Sequence, residues 1–100
     1  VLVADRGGTL WSLDRAGGSA LWRQEGLVRR EPTGPALAGN YAVLGDLEGY
    51  LHWVDPRTGE FKARARVGKA RILATPIATP TGTVIAVTDE GRLAAYRLVE

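Results

Sequence analysis

The sequence predicts an all-β fold made of repeated four-stranded antiparallel units, the blades of a β-propeller, and three observations carry that reading. One string occurs nearly three times: GGTLWSLDRAGG from Gly7, EGYLHWVDPRTG from Glu48 and EGRLAAYR from Glu90. Gly8 and Gly49 lie 41 residues apart and Gly49 and Gly91 lie 42 apart, and Leu10, Leu51 and Leu93 keep the same spacing. Between the copies, short apolar alternations are punctuated by Gly, Pro, Asp and Asn, and no helical apolar period is sustained.

The first unit reads as three strands, over 1–4, 9–13 and 19–24, followed by a loop over 25–34 that mixes charge with Pro and Gly. The second unit is complete, with strands over 35–38, 41–45, 50–55 and 60–67. Its last turn, Asp55-Pro56-Arg57-Thr58-Gly59, places Pro where its fixed φ suits a type I turn and Gly where positive φ costs little. Along 60–67 the alternation puts Phe61, Ala63, Ala65 and Val67 on one face and Lys62, Arg64 and Arg66 on the other. The third unit reads as strands over 72–79, 83–88 and 92–99. The division expected is a partial blade over 1–30, a complete blade over 31–70 and a partial blade over 71–100, with three, four and three strands. A blade buries its faces only against its neighbours. The chain is therefore expected to leave two blade faces open and to self-associate through them.

Composition excludes several classes of function. The formal net charge is only +2, so no polycationic surface for nucleic acid is indicated. Without cysteine the chain can hold neither a disulfide nor a thiolate metal site. No apolar run is long enough for a membrane-spanning helix.

His52 is the only histidine, lies in a predicted strand and reads as a partly exposed structural residue. Asp5, Asp46, Glu48, Asp89 and Glu90 recur once per unit; they suit calcium chemically, but they lack the spacing of a calcium loop and read as turn residues. Trp11, Trp22, Tyr50, Trp53 and Tyr96 track the repeat, which favours packing between blades over a base-stacking platform. Arg29 and Arg30 read as a solvated loop with an acidic partner as the alternative. Lys62, Arg64 and Arg66 fall on the outermost strand, where charge discourages edge-to-edge pairing; the alternative is a phosphate-binding stripe. Gly7-Gly8 and Gly17-Gly18 open no helix and are not phosphate loops, and Asp14 and Asp55 hold equivalent turn positions rather than forming an acid–base pair. No catalytic, cofactor-binding or metal-binding residue is expected, and no partner-binding residue is assigned.

The segments Leu13 to Trp22 (LDRAGGSALW) and Val54 to Gly59 (VDPRTG) resemble the quinoprotein-like, PQQ-type propeller repeat A-L-D-x-x-T-G-x-x-x-W. In that repeat the Trp docks between adjacent blades. Trp22 matches the docking position, whereas the second copy carries Ala63 there and the first copy has Gly17 in place of Thr. The string Gly45-Asp46-Leu47-Glu48-Gly49-Tyr50-Leu51-His52-Trp53-Val54-Asp55, the Thr79 to Gly82 turn, Asp89-Glu90-Gly91-Arg92-Leu93 and the Tyr96-Arg97-Leu98 close are similar to the C-terminal blades of the BamB family. These are lipoprotein propellers of the outer-membrane β-barrel assembly (BAM) machinery. The resemblance implies an eight-bladed parent of which this chain is about two and a half blades. It implies a non-catalytic scaffold, tethered by a lipid to the periplasmic side of the outer membrane. It implies the periplasmic domains of BamA as partner, with contact residues outside this chain. The alternative is a blade segment of a PQQ-dependent dehydrogenase or a propeller sensor domain.

Overall fold

The computed structural model describes residues 1–98, which form three antiparallel sheets and, among the described residues, no helix. The first sheet holds β1 (Leu2–Ala4), β2 (Leu10–Leu13) and β3 (Ala20–Gln24). The second holds β4 (Ala36–Ala38), β5 (Tyr41–Gly45), β6 (Tyr50–Val54) and β7 (Phe61–Arg66). The third holds β8 (Ile77–Ala78), β9 (Thr83–Val87) and β10 (Leu93–Arg97). Within each sheet, strands lie side by side in chain order, as tight glycine turns between successive strands require.

The middle sheet is covered on both faces, which explains why β5 and β6 are apolar almost throughout. Ala42, Leu44 and Val54 point toward the first sheet, where they pack with Leu10 and Leu27. Val43, Leu51 and Trp53 point the other way, into a cluster with Ile72, Val84 and Ala86 of the third unit. The outer sheets are covered on one face only. Leu21 on the first and Ile77 and Leu93 on the third remain two-thirds exposed.

Two expectations from the sequence are corrected. The strand expected over 72–79 is strand only at Ile77–Ala78. Ile72 instead gives its N–H to Asp46 O of the preceding unit, and Pro76 has no N–H to offer a ladder. The even alternation along 60–67 breaks at a β-bulge opposite Trp53 and Val54. The extra residue reverses the side on which Phe61 falls, because a one-residue slip exchanges faces. Phe61 therefore shares its face with Arg64, and its ring lies 5.7 Å from that of His52. The first sheet has a bulge at the equivalent place, between Ser12 and Leu13. Of the strand expected over 92–99, Val99 lies outside the described residues.

The recurrent glycine also has a packing reason. Gly8, Gly49 and Gly91 all adopt positive φ. At Gly49 a Cβ would collide with the carbonyl oxygens of Gly68 and Ala70, and at Gly8 with the backbone of Leu27 and Val28. The segment that leaves the outermost strand thus crosses directly over the turn of its own unit. At Gly91 a Cβ would meet nothing within 4 Å. Gly49→Ala is therefore expected to lower stability by about 3 kcal/mol or more, through clash and backbone strain together, while Gly91→Ala costs only the strain, about 1 kcal/mol. Urea unfolding midpoints of the two variants check the difference.

Candidate interaction site at the seam between the first two sheets

The densest polar cluster is built on Asp46, which opens the β5–β6 turn and is fully buried. One carboxylate oxygen accepts the N–H groups of Glu48 (2.9 Å) and Tyr50 (3.0 Å). The other accepts from Arg30, whose Nε and Nη2 both lie 2.8 Å away, and from His52 Nε2 at 2.7 Å. An ionised carboxylate can only accept, so His52 carries its proton on Nε2. Burial works to raise the Asp46 pKa, but the hydrogen bonds from His52, Tyr50, Arg30 and Glu48 outweigh it and hold the carboxyl at about 2.

This arrangement corrects two sequence expectations. His52 is buried, not partly exposed, because β6 is covered by the first unit on the face it shares with Leu44. Arg30 is half-buried and anchored, while Arg29 beside it is exposed.

The repeat explains the cluster's parts. At the position of Asp46, the first unit has Asp5, which accepts from Gly7 N, Thr9 N and, at 2.9 Å, from Trp11 Nε1. His52 and Trp11 thus hold one repeat position and serve one purpose: a ring N–H that satisfies the turn carboxylate. The third unit places Thr88 there rather than Asp89, and the Thr88 hydroxyl accepts from Arg92 N. Arg30 repeats as Arg71, and the backbones match: Leu47 N bonds Arg30 O, and Asp89 N bonds Arg71 O. Since Thr88 bears no charge, the Arg71 guanidinium pairs with Glu31 instead, at 2.9 Å. Sequence inspection missed these roles, although the 41-residue offset between Arg30 and Arg71 was the available signal.

Trp22 of β3 docks on the Pro56–Gly59 turn of the second unit. Its Nε1 donates to Pro56 O at 3.0 Å, and its ring fills the space a Cβ on Gly59 would take. Gln24 adds a 2.7 Å bond to Gly59 O. At the next seam Ala63 stands where Trp22 does, and packing takes over: Trp53 meets Tyr96 edge-on with ring centroids 6.2 Å apart.

On the outer rim, three arginines converge on one ring. The guanidinium carbons of Arg30, Arg64 and Arg66 lie 5.6, 5.0 and 4.9 Å from the Tyr50 centroid. Beside them a groove of about 460 Å³ is lined by Leu27, Arg30, His52, Phe61, Lys62 and Arg64 among others. Arg30 also meets Glu48, whose carboxylate lies 3.4 Å away. Asp14, Asp89 and Glu90 lie exposed in their own turns. Among the described residues, no three His, Cys, Asp or Glu side chains are grouped to hold a metal ion.

Three antiparallel sheets whose own strands are joined by short turns, with an indole locked onto the neighbouring sheet's turn, define a β-propeller built of quinoprotein-like repeats. The family model described as outer membrane protein assembly factor BamB matches residues 1–100, and the chain belongs to that family. It is 43% identical over 100 residues to the BamB of Xanthomonas campestris pv. campestris, covering all of this chain and 24% of that protein. It is 48% identical over 91 residues to the BamB of Kangiella koreensis, covering 91% of this chain and 23% of that protein. The chain thus spans about a quarter of the length of the curated relatives it matches. The crystal structure of BamB from Moraxella catarrhalis shares the fold, with a TM-score of 0.86 at 22% identity, covering 97% of this chain and 29% of that one.

The buried carboxylate makes stability depend on pH. Its pKa is lower folded than unfolded, so its contribution is full above the ordinary value of 3.8 and is lost as pH falls through about 2. That contribution is about 2 kcal/mol. Asp46→Asn leaves His52 without its carboxylate and Arg30 with only the exposed Glu48, and is expected to cost about 3 kcal/mol at neutral pH. The variant should also lose less stability than the parent between pH 4 and pH 2. Urea titrations of both proteins across that range check both statements.

Proposed function

We propose that this chain contributes consecutive blades to a propeller that acts as a non-catalytic binding scaffold in outer-membrane β-barrel protein assembly. The observation that carries the reading is the family match over residues 1–100, joined to relatives named as outer membrane protein assembly factors. The geometry supports it. The polar groups of the buried Asp46 and His52 and of the half-buried Arg30 and Trp22 are engaged in holding turns and seams together.

In this reading the blades divide at 1–30, 31–70 and 71–100. The scaffold works on the periplasmic side of the outer membrane as a lipid-anchored protein, and its partner is the periplasmic part of BamA, through residues outside this chain. The apolar residues left open on the outer sheets, Leu21, Ile77 and Leu93, are covered by further blades or, in the isolated chain, by self-association.

Affinity purification of the tagged full-length protein from outer-membrane extracts is the test. Recovery of the central barrel-assembly subunit, with a fall in outer-membrane β-barrel proteins when the gene is deleted, is the expected result. A protein recovered without that subunit, and whose loss leaves those barrels unchanged, overturns the reading.

A further inference from the structure

The outer edge of β7 carries features that the packing of the blades does not use. β7 is the last strand of the middle sheet, and both faces of that sheet are covered within this chain. Its free edge is therefore not a consequence of a missing neighbour. Val67 N is spent on Gly49 O across the β6 side. Backbone groups alternate in direction along a strand, so the N–H groups of Arg64 and Arg66 point away from β6. Arg66 O receives Tyr96 OH at 3.2 Å, which leaves both groups of Arg64 and the N–H of Arg66 available.

The side chains there are unevenly compensated. Arg30 is neutralised by Asp46, and Arg66 Nε is tied to the carbonyls of Glu48 and Gly68. Lys62 reaches Glu60 only at 3.7 Å, between exposed groups. The Arg64 guanidinium carbon lies 5.0 Å from the Tyr50 centroid, and its side chain makes no hydrogen bond or ion pair among the described residues. Three cationic heads gather on one ring, and among the described residues two of them, Arg64 and Arg66, have no carboxylate partner. Alongside runs the groove whose apolar side is Leu27 and Phe61.

We propose that the β7 edge is a docking surface for an acidic, extended peptide segment of a partner protein. Its backbone pairs with Arg64 and Arg66, its carboxylates meet Arg64 and Lys62, and one apolar side chain enters the groove beside Phe61. Main-chain pairing gives such a surface affinity, and alternate side chains give it selectivity. The same positive charge repels basic edges like its own, so a second copy of β7 is rejected while an acidic strand is admitted. The assignment rests on the geometry of β7 and goes beyond the scaffold reading, which names no surface on this chain.

The test uses the full chain and a fluorescent peptide in which Glu alternates with Val and Thr around one Phe. Its control has every Glu replaced by Lys. The acidic peptide is expected to bind, with affinity falling at least tenfold between roughly 50 and 300 mM salt. Arg64→Glu should weaken binding at least tenfold and Arg64→Gln by less, whereas Arg15→Glu, in the exposed turn of the first sheet, should leave it unchanged. At saturation, hydrogen exchange should slow at the amides of Arg64 and Arg66. No binding, equal binding of the Lys peptide, displacement by inorganic phosphate at the peptide's own concentration, or insensitivity to both Arg64 variants overturns the proposal. Slowed exchange at the Arg64 and Arg66 amides in the associated chain without peptide, with peptide binding lost as the chain associates, overturns it in favour of a second copy.

Discussion

The middle sheet has two apolar faces and no helix to cover either, and the rest of the structure follows from that. Each face needs another sheet, and each sheet offered in turn has an outer face of its own. The chain meets the demand by repetition: a segment leaves the outermost strand, crosses over the turn of its own unit and bonds to the turn of the next. Neighbouring sheets are thereby joined by backbone hydrogen bonds as well as by side-chain packing. This is why the linkers, though irregular, contain residues as buried as Leu27 and Ile72.

The two seams solve the same problem with different chemistry. The first is polar at its rim. Burying the Asp46 carboxylate would cost several kcal/mol if it were unpaired, and four donor groups from the turn, β6 and the linker offset that cost. Beside it the Trp22 indole contributes both apolar area and one directed bond to Pro56 O. The second seam lacks both devices, with Thr88 for Asp46 and Ala63 for Trp22. It relies on a larger apolar cluster and the edge-on contact of Trp53 with Tyr96. A bonded carboxylate fixes one geometry, whereas an apolar seam tolerates small shifts, so the first seam is the more sharply specified of the two.

The stacking of arginines on Tyr50 belongs to the same economy of position. The β7 bulge sends Phe61 to the face of Arg64 and leaves Lys62 at the edge, so that apolar and basic groups meet at one rim. Bulges re-aim side chains in this way and also end pairing, which keeps the edge of β7 distinct from an ordinary strand edge.

Much of the fold was legible because turn chemistry and strand alternation are local. The glycine spacing located the turns, and the recurrence of Leu10, Leu51 and Leu93 located the strand that follows the repeated turn in each unit, β2, β6 and β10. Trp22 was legible as a docking residue through its place in the repeat. The burial of His52 was not, because a histidine between Leu51 and Trp53 reads the same whether its strand faces solvent or another sheet. Nor was the pairing of Arg30 with Asp46, which are 16 residues apart and meet only when the linker crosses the turn. The bulge beside Phe61 was also invisible, since an extra residue in a pairing is a property of two strands and not of one. The sequence by itself determined period, strand order and turn type, all of which rest on contacts between near neighbours in the chain. The tertiary structure alone decided which carboxylate is fully buried, which rim arginines are left without an anion and which side chains meet at the rim, because each depends on surfaces brought together from different repeats.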